Sequence, residues 1–332
     1  MSLWLLKTAV QHVFQRLPRT EWWNGLMQRH VTGGLRLEPY GEFQEKLIAC
    51  RRHLQYYQTC SRRPSDGFNT LEIGTGWFPI IPIGLHLCGA GGILTYDIVR
   101  LLQPDTFAKV LEYFCLFART GELYEILPEA RRERVTELMR MARSRINSSP
   151  VECLKRLNIQ ALLGNVCHLP LETGSVDLVF SHGVLEHFAP PLLARAMAEF
   201  RRVCGRSSVM SHFIGMADQF SFFDRSITPF NNLRYSARAW RWLNSPIIPQ
   251  NRLRAADYVD AYRHAGFEIS ARDDINGAES DLASITIAAD FARYSKEDLL
   301  VLYSWLIARP AAAAWSACEQ GQDNAVPQYR SC

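Results

Sequence analysis

From Asn69 onward the chain alternates short apolar runs with longer amphipathic ones. Thr70–Ile73, Gly92–Tyr96, Ile159–Leu163, Val176–Phe180, Ser207–Phe213, Phe267–Ser270 and Ala283–Ala289 read as strands bounded by turn residues. Most of the text between them has helical spacing, which predicts right-handed crossovers and a doubly wound, mainly parallel sheet. Two intervals are longer than a crossover needs, 99–158 and 215–254, and both read as helical insertions. Residues 1–68 are helical and aromatic-rich, with Trp22, Trp23, Tyr40, Phe43, Tyr56 and Tyr57, broken at the Gly33-Gly34 turn, and read as an N-terminal cap that closes over the site. Within it Leu3, Leu6, Val10, Val13, Phe14 and Leu17 share one helical face. That face is expected to dock on the chain's own domain, with peripheral membrane contact through 3–17 as the alternative. The α/β unit is expected over 69–290, followed at 291–332 by a C-terminal helix and a frayed tail.

Composition narrows the function classes. Hydrophobic residues at 48% and charged residues at 21% suit a globular core and exclude a disordered chain. The net charge of +4 comes from arginines spread along the sequence, so no nucleic-acid partner is expected. Nine cysteines without a C-x-x-C pair imply reduced thiols and a cytoplasmic protein. The opening residues have neither the basic leader nor the cleavage site of a signal peptide, and no apolar run reaches the ~18 residues of a transmembrane span. His86 with Cys88, and Cys167 with His168, lack the spacing of a zinc ligand pair, and no metal is expected.

The stretch "LEIGTGWFP" ends the first strand on two glycines, where the backbone turns sharply and comes close to a ligand. A dinucleotide site would want a third glycine at position 79, where this chain has Pro. The turn therefore suits a nucleoside without a pyrophosphate. Asp97 ends the second strand 21 residues after Gly76, placed to accept from a ribose diol.

Taken in order, "LEIGTG", "TYDI", "GNVCHLPLETGSVDLVFSHGVLEHF" and "AGFEI" resemble the class I S-adenosylmethionine-dependent methyltransferases over about residues 69–290. That resemblance implies a Rossmann-like sheet of seven strands, the last antiparallel, with S-adenosylmethionine (SAM) as cofactor. It also implies a cofactor set of Glu72, Gly74, Gly76, Asp97, Asn165, Val166 and Ser181. Of these, Gly74 and Gly76 pass beneath the methionine part, Asp97 holds the ribose, Asn165 and the Val166 N–H face the adenine, and Ser181 lies near the amino group. The chain departs from the family in carrying Asn165 where Asp is usual and Pro79 in place of the third glycine.

Methyl transfer from a sulfonium needs alignment and exclusion of water, plus a base only where the nucleophile arrives protonated. His187, His212 and Asp218 are the candidate bases, each with a packing or capping role as its alternative. In the second insertion Asn232, Arg234, Asn251 and Arg252 stand among aromatic residues, and could either bind a small polar acceptor or fasten the insertion to the sheet. Three activities are open: methylation of a small-molecule O or N nucleophile, chemistry on the aminocarboxypropyl arm of SAM that releases methylthioadenosine, or SAM binding without turnover.

Overall fold

Seven strands form one sheet in the computed structural model, which describes residues 3–61, apart from 15–36, then 63, 65–144 and 149–312. They are β1 (Thr70–Ile73), β2 (Ile93–Asp97), β3 (Ile159–Leu163), β4 (Val176–His182), β5 (Cys204–Gly215), β6 (Phe267–Asn276) and β7 (Val301–Pro310). Their order is β3-β2-β1-β4-β5-β7-β6. β1 to β5 are parallel, and β7 enters antiparallel between β5 and β6.

The last strand is not where its β-branched text predicted it. Within 279–289 the structure has the short helix Glu279–Ala283 and a turn, and the sheet is completed by "VLYSWLIARP". A continuous apolar run cannot be told from a buried helix by periodicity, and pairing on both edges decides it here. Met210 faces Ala308 on one side and Ile269 faces Ala308 on the other. The α/β unit therefore runs past 290, and the expected C-terminal helix shrinks to Lys296–Leu300. Trp22, Trp23, the Gly33-Gly34 turn and the tail 313–332 lie outside the described residues.

The helices are α1 (Leu3–Phe14), α2 (Gln44–Cys60), α3 (Ile80–Leu87), α4 (Pro104–Thr120), α5 (Glu122–Ile126), α6 (Arg132–Arg143), α7 (Pro150–Arg156), α8 (Pro190–Val203), α9 (Ala237–Leu243) and α10 (Ala255–His264). α4 to α7 are the first insertion. Pro104 opens α4, and a Ser149–Glu152 capping box opens α7. One face of the sheet is covered by α2, α3 and this insertion, the other by α8 and α10. Leu47, Leu54 and Tyr57 of α2 share a core with Leu178 and Phe180 of β4. This helix, expected as part of a separate cap, is a layer of the sheet's own core, because its apolar stripe has nowhere else to be buried. α1 packs instead on the second insertion, with Trp4 against Phe220 and Tyr235 at ring distances of 5.4 and 5.9 Å.

Candidate functional site

The C-terminal ends of β1, β2 and β4 converge, and open α/β sheets bind ligands at such strand ends. Gly74 and Gly76 hold φ of +82° and +64°, the left-handed region that suits glycine. Their surroundings differ. A Cβ on Gly74 would stand 2.5 Å from Cγ2 of Val184, whereas one on Gly76 would meet nothing within 4 Å.

The Gly76 N–H donates to Oδ2 of Asp97 at 3.0 Å, while Oδ1 accepts from the N–H groups of Ile98 and Val99 at 2.7 and 3.3 Å. Asp97 thus pins the glycine turn to the end of β2. Three of a carboxylate's roughly four acceptor positions are taken, so a single further hydrogen bond fits without rearrangement. A cleft of about 20 Å³ lies beside it, lined by Thr75, Gly76, Asp97, Val99, Leu101 and Leu162 among others. Small-molecule sites hold roughly 300–1,000 Å³, so the cleft as it stands is smaller than a nucleoside.

Glu72 is buried beneath the turn with Oε2 unpartnered, and burial pushes its carboxyl well above the usual range despite Lys46 nearby. Asn165 is exposed, and its Oδ1 accepts from the Cys167 N–H at 3.0 Å in a side-chain turn that shapes the loop after β3; Val166 beside it is half-buried. Ser181 is fully buried and its hydroxyl meets Nδ1 of His212 at 2.7 Å.

Strand alternation sorts the histidines. Ser181 pairs with His212 on the α8/α10 face, and His182 pairs with Phe213 on the α2 face. His212 is sealed between the rings of Phe200 and Tyr262, and burial drives it down to about 3, so this candidate base is a core residue with no route to a substrate. Asp218 is also sealed, capping the turn Gln219–Phe222 and accepting from Nδ2 of Asn231 at 2.9 Å. Burial raises it to about 6, and its oxygens are committed to the insertion. His187 is a clasp, with Nδ1 donating to the Pro249 carbonyl at 2.9 Å and Nε2 meeting Nε2 of Gln219 at 3.3 Å.

The four acceptor-binding candidates divide similarly. The Asn251 amide donates to the carbonyls of Leu185 and Phe188 and accepts from the Tyr258 hydroxyl. Arg252 donates to the carbonyls of Asn232 and Tyr235 and lies over the rings of Trp240 and Phe291. Both fasten the insertion, because each polar group is matched to a backbone carbonyl or ring inside the chain. Asn232 is fully buried, with Nδ2 on the Met216 carbonyl and Oδ1 unpartnered, and Arg234 faces solvent.

Sequence reasoning passed over His182, two residues beyond the expected strand end at Phe180. Its ring stacks on Phe213 at 4.6 Å, Phe213 stacks on Tyr303 at 5.5 Å, and Trp305 stands edge-on to His182 at 5.9 Å. Nδ1 of His182 is buried without a partner, and burial lowers the ring to about 3. Tyr303 and Trp305 come from β7, the strand the text misplaced, so no sequence pattern could have joined them to His182.

Residues 130–210 match the family model described as a methyltransferase domain, a span that includes β3 and β4 but not the glycine turn. No curated protein matches the chain. Among solved structures, the chain is similar to geranyl diphosphate C-methyltransferase from Streptomyces coelicolor A3(2), crystallised with Mg2+, geranyl diphosphate and S-adenosyl-L-homocysteine. That identity is 11% over 78% of this chain and 79% of the other, at a TM-score of 0.45. It is also similar to an S-adenosylmethionine-dependent methyltransferase from Mesorhizobium loti, at 12% identity over 77% and 96% and a TM-score of 0.40. The matched residues lie within a seven-stranded, mostly parallel sheet with flanking helices, an arrangement consistent with a Rossmann-like methyltransferase fold.

Proposed function

We propose that the chain methylates an oxygen or nitrogen of a small-molecule acceptor, with Glu72, Gly74, Gly76, Asp97, Asn165 and Val166 holding SAM. The observation that carries this reading is the Gly76–Asp97 junction: an N–H to carboxylate bond at 3.0 Å beside open space on the Cβ side of a left-handed glycine. The polar groups present suit a nucleoside once the cleft of about 20 Å³ beside them widens. Bound SAM supplies an electrophilic methyl group on a sulfonium. Asp97 would accept from a ribose hydroxyl with its remaining position, and the orphaned Glu72 oxygen would meet a polar group. Ser181 would contribute its backbone, since its hydroxyl is spent on His212.

The acceptor would lie against the His182–Phe213–Tyr303 stack, with the neutral His182 ring accepting a hydrogen bond from the incoming O–H or N–H. Incubation with SAM and candidate acceptors, followed by mass spectrometry, tests the reaction. S-adenosylhomocysteine supports methyl transfer, methylthioadenosine would assign chemistry on the arm, and binding without either would leave a SAM-binding protein.

Two substitutions test the placement. Asp97→Asn should weaken SAM binding by about 1.5–3 kcal/mol, the worth of a hydrogen bond to a charged group. Asn keeps one acceptor and sets its NH2 against the N–H of Gly76 or those of Ile98 and Val99, so some loss of melting temperature is expected as well; calorimetry showing unchanged affinity would remove Asp97 from the site. His182→Phe keeps the stack and removes the acceptor, and should lower turnover by about 10²-fold or more at unchanged SAM affinity. His187→Gln should instead lower the melting temperature while keeping most of the turnover per folded molecule.

A further inference from the structure

α1 buries Trp4, with Leu5 half-buried beside it, yet leaves a second apolar line uncovered. Trp4, Thr8 and Gln11 form its buried line, while Leu3, Leu6 and Val13 on the opposite face are 55%, 48% and 58% exposed. An amphipathic helix on a globular core normally buries its leucines. Two large apolar side chains of the second insertion flank this face, Phe222 at 67% and Trp242 at 75% exposed. They stand beside the helix, since His12 meets the Trp242 carbonyl at 3.1 Å and Lys7 lies 4.9 Å from the ring centre of Phe223, the neighbour of Phe222. These five residues are half of the ten large hydrophobics that are exposed among the described residues.

Among the described residues of α1 and the second insertion, the exposed charges are positive. Helix α1 contains no carboxylate, and between 219 and 254 the sequence has a single one, Asp224. That carboxylate is buried and spent, with Oδ2 accepting from the Trp4 N–H and Oδ1 from Ser226. Arg225, Arg234, Arg238 and Arg241 are exposed on the same insertion. Asp290, from outside the insertion, accepts from the Ala237 N–H. Exposed apolar side chains on a surface that also presents guanidinium groups match the interface of an anionic bilayer better than an aqueous surface or an acidic helix groove.

We propose that α1 and the second insertion form a docking surface for an anionic membrane. Leu3, Leu6, Val13, Phe222 and Trp242 enter the interfacial layer, and Arg225, Arg238 and Arg241 meet lipid phosphates. No helix among the described residues is long and apolar enough to cross a membrane, so the chain lies on the surface by this face. The proposal does not depend on which acceptor is methylated.

The test is sedimentation of the full-length protein with vesicles of phosphatidylcholine alone or with about 30 mol% phosphatidylserine, a content that gives a negative surface potential. The protein should pellet with the anionic vesicles and be released by high salt. Arg238→Glu/Arg241→Glu should lower partitioning by about tenfold or more, and Leu6→Gln/Trp242→Ser should do the same. SAM affinity and melting temperature should hold in the charge variant, whose side chains are exposed, which separates lost docking from lost fold. The proposal is overturned if the wild type stays in the supernatant with both vesicle types, or binds both equally with the charge variant unaffected. A dimer in solution that Leu6→Gln/Trp242→Ser converts to monomer would also overturn it, assigning the face to a second copy of the chain.

Discussion

Gly76→Ala should abolish SAM binding, weakening it by at least about 10²-fold, equivalent to about 2.7 kcal/mol, while the protein stays folded. The new Cβ would point into open space, so the folded chain meets no clash and bears only the strain of a left-handed alanine, about 1–2 kcal/mol. The cofactor would meet that Cβ directly. Gly74→Ala, two residues earlier, should do the reverse and damage folding first, because its Cβ would stand 2.5 Å from a Val184 methyl. Adding Val184→Ala should restore part of the Gly74→Ala melting temperature and leave Gly76→Ala unchanged. Titration calorimetry beside thermal unfolding separates the two cases, and a Gly76→Ala protein that binds SAM normally would place the cofactor elsewhere.

Glu186→Gln should stabilise the protein at pH 8, by as much as a few kcal/mol. Glu186 is buried behind the ends of β4 and β5, with Oε1 accepting from the Gly215 N–H at 3.2 Å and Oε2 unpartnered. Burial raises its carboxyl from 4.5 to about 8. Between those values the unfolded chain has released the proton and the folded chain retains it, so stability falls as pH rises, by about 1.4 kcal/mol per unit. Glutamine keeps the carbonyl for Gly215 and removes the titration. The advantage of the variant should therefore shrink toward pH 4.5. His182 and His212, lowered by burial from 6.5 to about 3, act in the opposite sense: the unfolded chain takes up protons that the folded chain refuses, and stability falls as pH drops below 6.5. Between about pH 4.5 and 6.5 these two contributions oppose each other. Equal pH slopes for wild type and Glu186→Gln would show that the carboxyl is not held protonated.

The difference between Gly74 and Gly76 shows how far reading the chain can go. "EIGTG" at a strand end identifies both as turn glycines, because that property belongs to the local backbone. Which of them leaves room for a ligand depends on Val184, over a hundred residues away. Asp97 was legible for the same local reason, as an acidic residue ending a buried strand a fixed distance from the turn. His212 and Asp218 looked equally available beside it, and their commitments to Ser181 and Asn231 arise only when β4, β5 and the second insertion come together. Asn251 and Arg252 have the composition of a binding site and the contacts of a fastening.

By itself, the sequence determined the alternation of strands and helices, the glycine turn, the carboxylate after β2 and the position of both insertions, since propensity and periodicity act over a few residues at a time. Tertiary structure alone decided that "VLYSWLIARP" is a strand, because an apolar run takes its conformation from the edges available for pairing. It also decided that His182 joins Phe213, Tyr303 and Trp305 in one wall, and that α1 turns Leu3 and Leu6 outward. Each of these depends on which surfaces meet, and the energy of burying a side chain is set by neighbours that lie far away in the sequence.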